Sequence, residues 1–178
     1  ATVPIPASLR DFMRGSRIGL DQLQWLDAGW VPQPYRDLLV HRREMTPTLE
    51  AFHGDTLRLE VLRASELPPG LYLREVLLFT SRWRRPVIYG VIEVYLDRFD
   101  AEESAAIRGG TVPFGRILIR SGRRTLSDPI GFFRYDGAFP FSDLPAGICY
   151  GRYNRLLDAE EMPIATIVEI MAPLPDDG

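Results

Sequence analysis

An α+β domain, with helices covering one face of a single antiparallel sheet, is the fold class this sequence predicts, and three observations carry the prediction. Apolar residues in the first third recur at helical spacing. Two long apolar runs joined by a short polar turn follow, and a second pair of such runs flanks a turn near the C-terminus.

Taken in order, Leu20, Leu23, Leu26 and Trp30, then Leu38, Leu39 and Val40, are spaced as on two helices, with Asp21 as an N-cap and the 29–34 stretch as a break. From Thr56, Leu57, Leu59 and Val61 alternate with Arg58 and Glu60 as on a half-buried strand, which the Pro68–Gly70 turn ends. LYLREVLLFT (71–80) and VIYGVIEVYL (87–96) are apolar on both faces, as central strands are, so the three make a meander. Asp100 is placed to cap a helix over 101–108, GGTVPFG is a loop, and 114–120 is a second short helix. The chain then returns to strands, with 147–157 and 163–172 forming the last hairpin around the turn at 158–162.

Composition narrows the function. The chain has 178 residues, 46% hydrophobic and 25% charged, without repeats or low-complexity segments. One domain over 1–178 with a loose tail at 173–178 is expected, and a chain of this size buries roughly 70% of its unfolded surface. All 21 basic residues are arginine. Without lysine there is no Schiff base, no pyridoxal phosphate anchor and no GxxxxGK[ST] phosphate loop. The single Cys149 and the isolated His41 and His53 give no metal-ligand spacing, so neither metal nor cofactor is expected. A net charge of −3 offers no general attraction for nucleic acid or anionic lipid. No apolar run approaches the roughly 20 residues of a membrane span, and ATVPIPASLR has no continuous apolar stretch of the secretory kind. The expectation is a cytoplasmic protein whose partner is a small molecule; its oligomeric state is left open.

Two charges fall where the strand pattern should be apolar. Arg74 shares a strand face with Tyr72, Val76 and Leu78, and Glu169 shares one with Ala165, Ile167 and Met171. A charge buried alone costs several kcal/mol, so each needs a partner or a ligand. They either pair structurally, with each other or with Glu75 and Glu93, or form a site in which an arginine fork holds a ligand carboxylate while a carboxylate accepts a ligand hydroxyl. Gly109, Gly110 and Gly115 lie beside a helix start, a weak anion-binding pattern that a connecting loop explains equally well. Tyr150, Arg152 and Tyr153 on the penultimate strand are further pocket candidates.

LYLREVLLF, VPFGRILI and PIATIVEIMAP, in that order, with EMTPTLE upstream, resemble the chorismate pyruvate-lyase (4-hydroxybenzoate synthetase) family over roughly residues 20–172. The resemblance implies a chorismate lyase-like sheet enclosing a small ligand. It also implies conversion of chorismate to 4-hydroxybenzoate and pyruvate without a cofactor. On this chain it puts the carboxylate-binding arginine at Arg74, a backbone amide donor at Phe114 beside Gly115, the hydroxyl-contacting glutamate at Glu169 and a pocket methionine at Met45. Met171 is a further expected lining residue. The chain departs from the family at Val91, where a polar side chain is usual, so the holder of the pyruvyl carboxylate is open, with Arg152 the candidate. Two alternatives stand beside the lyase: a non-catalytic effector-binding domain of the same fold, as in bacterial transcription regulators, or an enzyme of specialised metabolism acting on a related aryl or cyclohexadienyl acid. Six arginines against six acidic residues in 1–54 give no basic recognition helix, which ranks the regulator second.

Overall fold

The computed structural model describes residues 3–174 and consists of one seven-stranded, entirely antiparallel sheet with five helices. The strands are β1 (Gln24–Leu26), β2 (Leu57–Leu67), β3 (Leu71–Thr80), β4 (Pro86–Tyr95), β5 (Leu126–Gly137), β6 (Gly147–Leu157) and β7 (Pro163–Met171). They lie in the order β1-β5-β6-β7-β4-β3-β2. The β2–β3–β4 meander and the β6–β7 hairpin are as the apolar runs predict. Joining β7 to β4 makes the two halves one sheet and gives β3 and β4, the runs that are apolar on both faces, a strand on either side.

The helices are α1 (Ala7–Met13), α2 (Tyr35–Leu39), α3 (Met45–His53), α4 (Ala101–Gly109) and α5 (Phe114–Arg120). The Asp100 side chain caps α4 by accepting from the Glu103 backbone N–H at 2.7 Å, and Gly110 ends the helix at φ 68°. Helices α2 to α5 cover one face. Tyr72, Ile92, Ile107, Ile117 and Leu118 pack there under α4 and α5, and Leu38, Leu39, Leu49 and Met171 pack under α2 and α3.

Three elements differ from the sequence expectation. Residues 20–30 form not a helix but two single 3₁₀ turns flanking β1, so the three-residue spacing of Leu20, Leu23 and Leu26 reflects turns, and Asp21 caps no α-helix. Trp25 there pairs with Phe133 across the sheet, edge to face at 5.2 Å. Strand β5 carries no recognisable period because Asp128, Pro129 and Gly131 interrupt it at a bulge between Pro129 and Gly131. Helix α1 adds a cover on the opposite face, where Leu9 and Met13 pack with Leu73, Leu77, Tyr89 and Val91. Ser8 hydrogen-bonds the buried Glu93 carboxylate, and Tyr89 donates to Glu75. Of the expected loose tail, Leu174 is held by its N–H to the Tyr35 hydroxyl at 2.9 Å, and 175–178 lie outside the described residues.

Candidate functional site

Under the helical cover lies a cavity with about 70 Å³ open to the centre of a water molecule. One water needs roughly 10–15 Å³ by that measure, so the space suits a compact organic molecule. The strand register sets its floor as two parallel rows. One runs Arg74, Ile92, Ile167, Asn154 across β3, β4, β7 and β6; the next runs Val76, Gly90, Glu169, Arg152 across the same strands. All of these but Gly90, which has no side chain, line the space. The roof comes from Met45 and Thr46 at the start of α3 and from Phe114, Gly115 and Leu118 of α5.

The two unexpected charges therefore do converge, with different fates. Glu169 is 3% exposed and accepts from Arg152 Nε at 2.6 Å, a directly cross-strand pair. Arg152 is fully buried, and its Nη1 also donates to the carbonyls of Leu39 at 3.0 Å and His41 at 3.2 Å. Its charge is thus matched and two of its nitrogens are occupied, so it is not the free second cation the sequence suggested. Burial and then the Arg152 charge hold the His41 imidazole below its usual range.

Arg74 is 1% exposed and stands in none of the ion pairs among the described residues. Its Nη1 donates to the Ile107 carbonyl at 3.1 Å, and Nε is buried without any partner. Burial lowers its pKa, while the neighbouring Tyr72 hydroxyl works the other way. Glu75 and Glu93, suggested as partners, sit on strand positions that face the opposite side of the sheet, packed beneath α1. Glu44 stands at the cavity rim, partly exposed, accepting from the Thr125 hydroxyl at 3.1 Å.

Phe114 and Gly115 open α5, where first-turn N–H groups have no intrahelical acceptor, and Phe114 packs edge to face on Phe99 at 5.8 Å. Gly115 is required by close approach: a Cβ there would stand 2.8 Å from Thr46 Oγ1. The Arg116–Glu50 ion pair ties α5 to α3 beside this contact. Gly115→Ala is therefore expected to cost about 1–3 kcal/mol by prising the two helices apart. Adding Thr46→Ala should recover most of the loss, and urea unfolding of the single and double variants measures it.

Other expected residues fall elsewhere. Met171, two residues beyond Glu169, is fully buried among Leu39, Leu49 and Ile88 and does not line the cavity, because α2 and α3 close that end of the sheet. Val91 faces the α1 side. Tyr153 points the same way, with its hydroxyl 3.4 Å from the Pro4 carbonyl, and Tyr150 packs on Tyr35. Several lining residues escape the sequence argument, Asn154 and Ser127 among them. Asn154 was legible in principle, as the polar residue next to Arg152 on an inward face; Ser127 was not, since its strand carries no signal. Among the described residues no group of three histidine, cysteine or acidic side chains is placed to hold a metal, and no helix is long and apolar enough to cross a membrane.

No protein-family model and no curated protein matches the chain. Solved structures with a similar course include PhnF from Mycobacterium smegmatis, at 13% identity and a TM-score of 0.47, covering 93% of this chain and 92% of that one. YydK from Bacillus subtilis, a possible transcriptional regulator, aligns at 12% identity and a TM-score of 0.49 over 70% of this chain and 59% of its own. The ligand-binding domain of a protein from Bordetella bronchiseptica described as a GntR-family transcriptional regulator aligns at 9% identity and a TM-score of 0.45, covering 67% and 86%. What the geometry itself supplies is one buried cation without an acidic partner beside a partly open and mainly apolar space.

Proposed function

We propose that this domain is a binding site for a small organic acid with a flat apolar body, whose carboxylate is held by Arg74. The observation that carries the reading is the bare Nε of a guanidinium that is 1% exposed and has no acidic partner. A cation so placed is costly to bury, and a ligand carboxylate offsets that cost with charge-assisted hydrogen bonds. Ile92, Ile167, Leu118 and Phe114 supply apolar walls for a ring. Calorimetric titration of the full chain with benzoate and with benzamide tests this. Benzoate is expected to bind and benzamide, of the same shape but uncharged, is not. Equal affinities would refute a carboxylate site.

A second reading, turnover of chorismate, is favoured by the placement of Arg74, Phe114, Gly115 and Glu169 around one cavity. In that reaction the C3–O bond to the enolpyruvyl group breaks, the ring loses its C4 hydrogen and becomes aromatic, and pyruvate takes up a proton at its methylene carbon. Arg74 would anchor the ring carboxylate, and the walls would exclude water. Chorismate carries two carboxylates, whereas one cation here is without an acidic partner, so binding of a monocarboxylate ranks first. Incubation with chorismate decides between the two: release of 4-hydroxybenzoate and pyruvate makes the domain a lyase, and binding without release makes it a receptor.

A further inference from the structure

Asn154 is 2% exposed, lines the cavity, and has a side-chain oxygen without any hydrogen-bond partner. The surrounding bonds fix which way its amide points. Ser127 Oγ donates its single proton to the Arg43 carbonyl at 3.1 Å, so toward Asn154 it can only accept. The Asn154 nitrogen therefore faces Ser127, at 3.4 Å, and the carbonyl oxygen is turned away from it as a bare acceptor.

Arg74 and Asn154 terminate the same row of the cavity floor, three strand steps apart, which is roughly 14 Å between backbones at ordinary sheet spacing. Ile92 and Ile167 lie between them. The row thus has an unpaired donor at one end, an unpaired acceptor at the other, and an apolar middle. From this arrangement we infer that Asn154 is a specificity-determining residue, and that the ligand carries a hydrogen-bond donor, a hydroxyl or an amino group, on the side of its ring away from the carboxylate. The inference rests on the carboxylate reading of Arg74. A ligand without such a donor leaves the Asn154 oxygen dry and unpaired, which is what makes the site selective. Glu169, one row over, is tied through one oxygen to Arg152, and the Asn154 variants separate its contribution from that of Asn154.

The test titrates wild type with benzoate, 3- and 4-hydroxybenzoate and 4-fluorobenzoate, the last similar in shape but with no proton to give. The better of the two hydroxy acids is expected to bind on the order of tenfold tighter than benzoate, and the fluoro acid about as benzoate does. In Asn154→Leu the hydroxyl advantage should fall to within roughly twofold while benzoate still binds; Asn154→Ala serves as a second variant, and the wild-type series stands without either. A fluoro acid as tight as the hydroxy acids, or a hydroxyl advantage that survives in the variants, would overturn the role of Asn154. If benzoate binds through Arg74 with no hydroxyl advantage, only this inference falls; if benzoate does not bind at all, the carboxylate reading falls with it.

Discussion

Arg74→Met is expected to make the protein more stable and to abolish carboxylate binding. The usual result of mutating a buried residue is a loss of stability, so the sign is diagnostic. Arg74 gives up its hydration for one backbone hydrogen bond to Ile107 and the nearby Tyr72 hydroxyl, with no acidic partner. Methionine fills a similar volume without a charge to desolvate. Replacing buried charges by apolar side chains of similar size is often neutral or stabilising by about 1–4 kcal/mol, and for a chain of this length each kcal/mol gained raises Tm by about 2–4 °C. The stranded Ile107 carbonyl takes back part of that gain. A thermal melt beside a benzoate titration checks both halves. A variant that melts well below wild type would identify Arg74 as structural, and one that binds benzoate as wild type does would remove it from the site.

Glu169 behaves in the opposite way. Glu169→Ala leaves the Arg152 guanidinium buried without its counter-charge, and such a break costs about 3–5 kcal/mol. Glu169→Gln keeps an acceptor for Arg152 Nε and should lose less. Combining Arg152→Met with Glu169→Leu removes both charges, so the double variant is expected to be more stable than Glu169→Ala alone, with a large coupling energy between the two sites. Urea denaturation of wild type, Arg152→Met, Glu169→Leu and the double variant, beside Glu169→Ala and Glu169→Gln, reads this. If the double variant shows only the sum of its single losses, the pair does not act as a unit. Of the two inward-facing arginines of this sheet, Arg152 is matched by an acid within the protein and Arg74 is not.

Much of this was legible in the residues. The central strands were visible because a strand apolar on both faces leaves a long uninterrupted run, and Arg74 and Glu169 stood out because each breaks such a run. The Asp100 cap and the last hairpin follow from local chemistry alone. What failed has a common cause. Leu20 to Trp30 and the strand over Leu126–Gly137 take their conformation from long-range contacts, Trp25 on Phe133 and the pairing with β6, and neither leaves a local period to read. The same limit applied at the site. Which acid Arg152 or Arg74 would meet depends on strand order, and strand order came from the β4–β7 junction rather than from any single strand. Met171 was misplaced for a related reason: its inward face was predicted properly, but the helices covering that end fill the space above it.

If the Arg74 Nε–H receives a ligand carboxylate, that proton reports the contact directly. In a ¹H–¹⁵N spectrum of the arginine Nε–H groups, the Arg74 signal is identified by its loss in Arg74→Met and followed as benzoate is added. A downfield movement is expected that saturates with benzoate and is absent with benzamide, because only the carboxylate gives the proton a charged acceptor. An Arg74 signal that stays in place while benzoate binds, or that moves equally with benzamide, would contradict it.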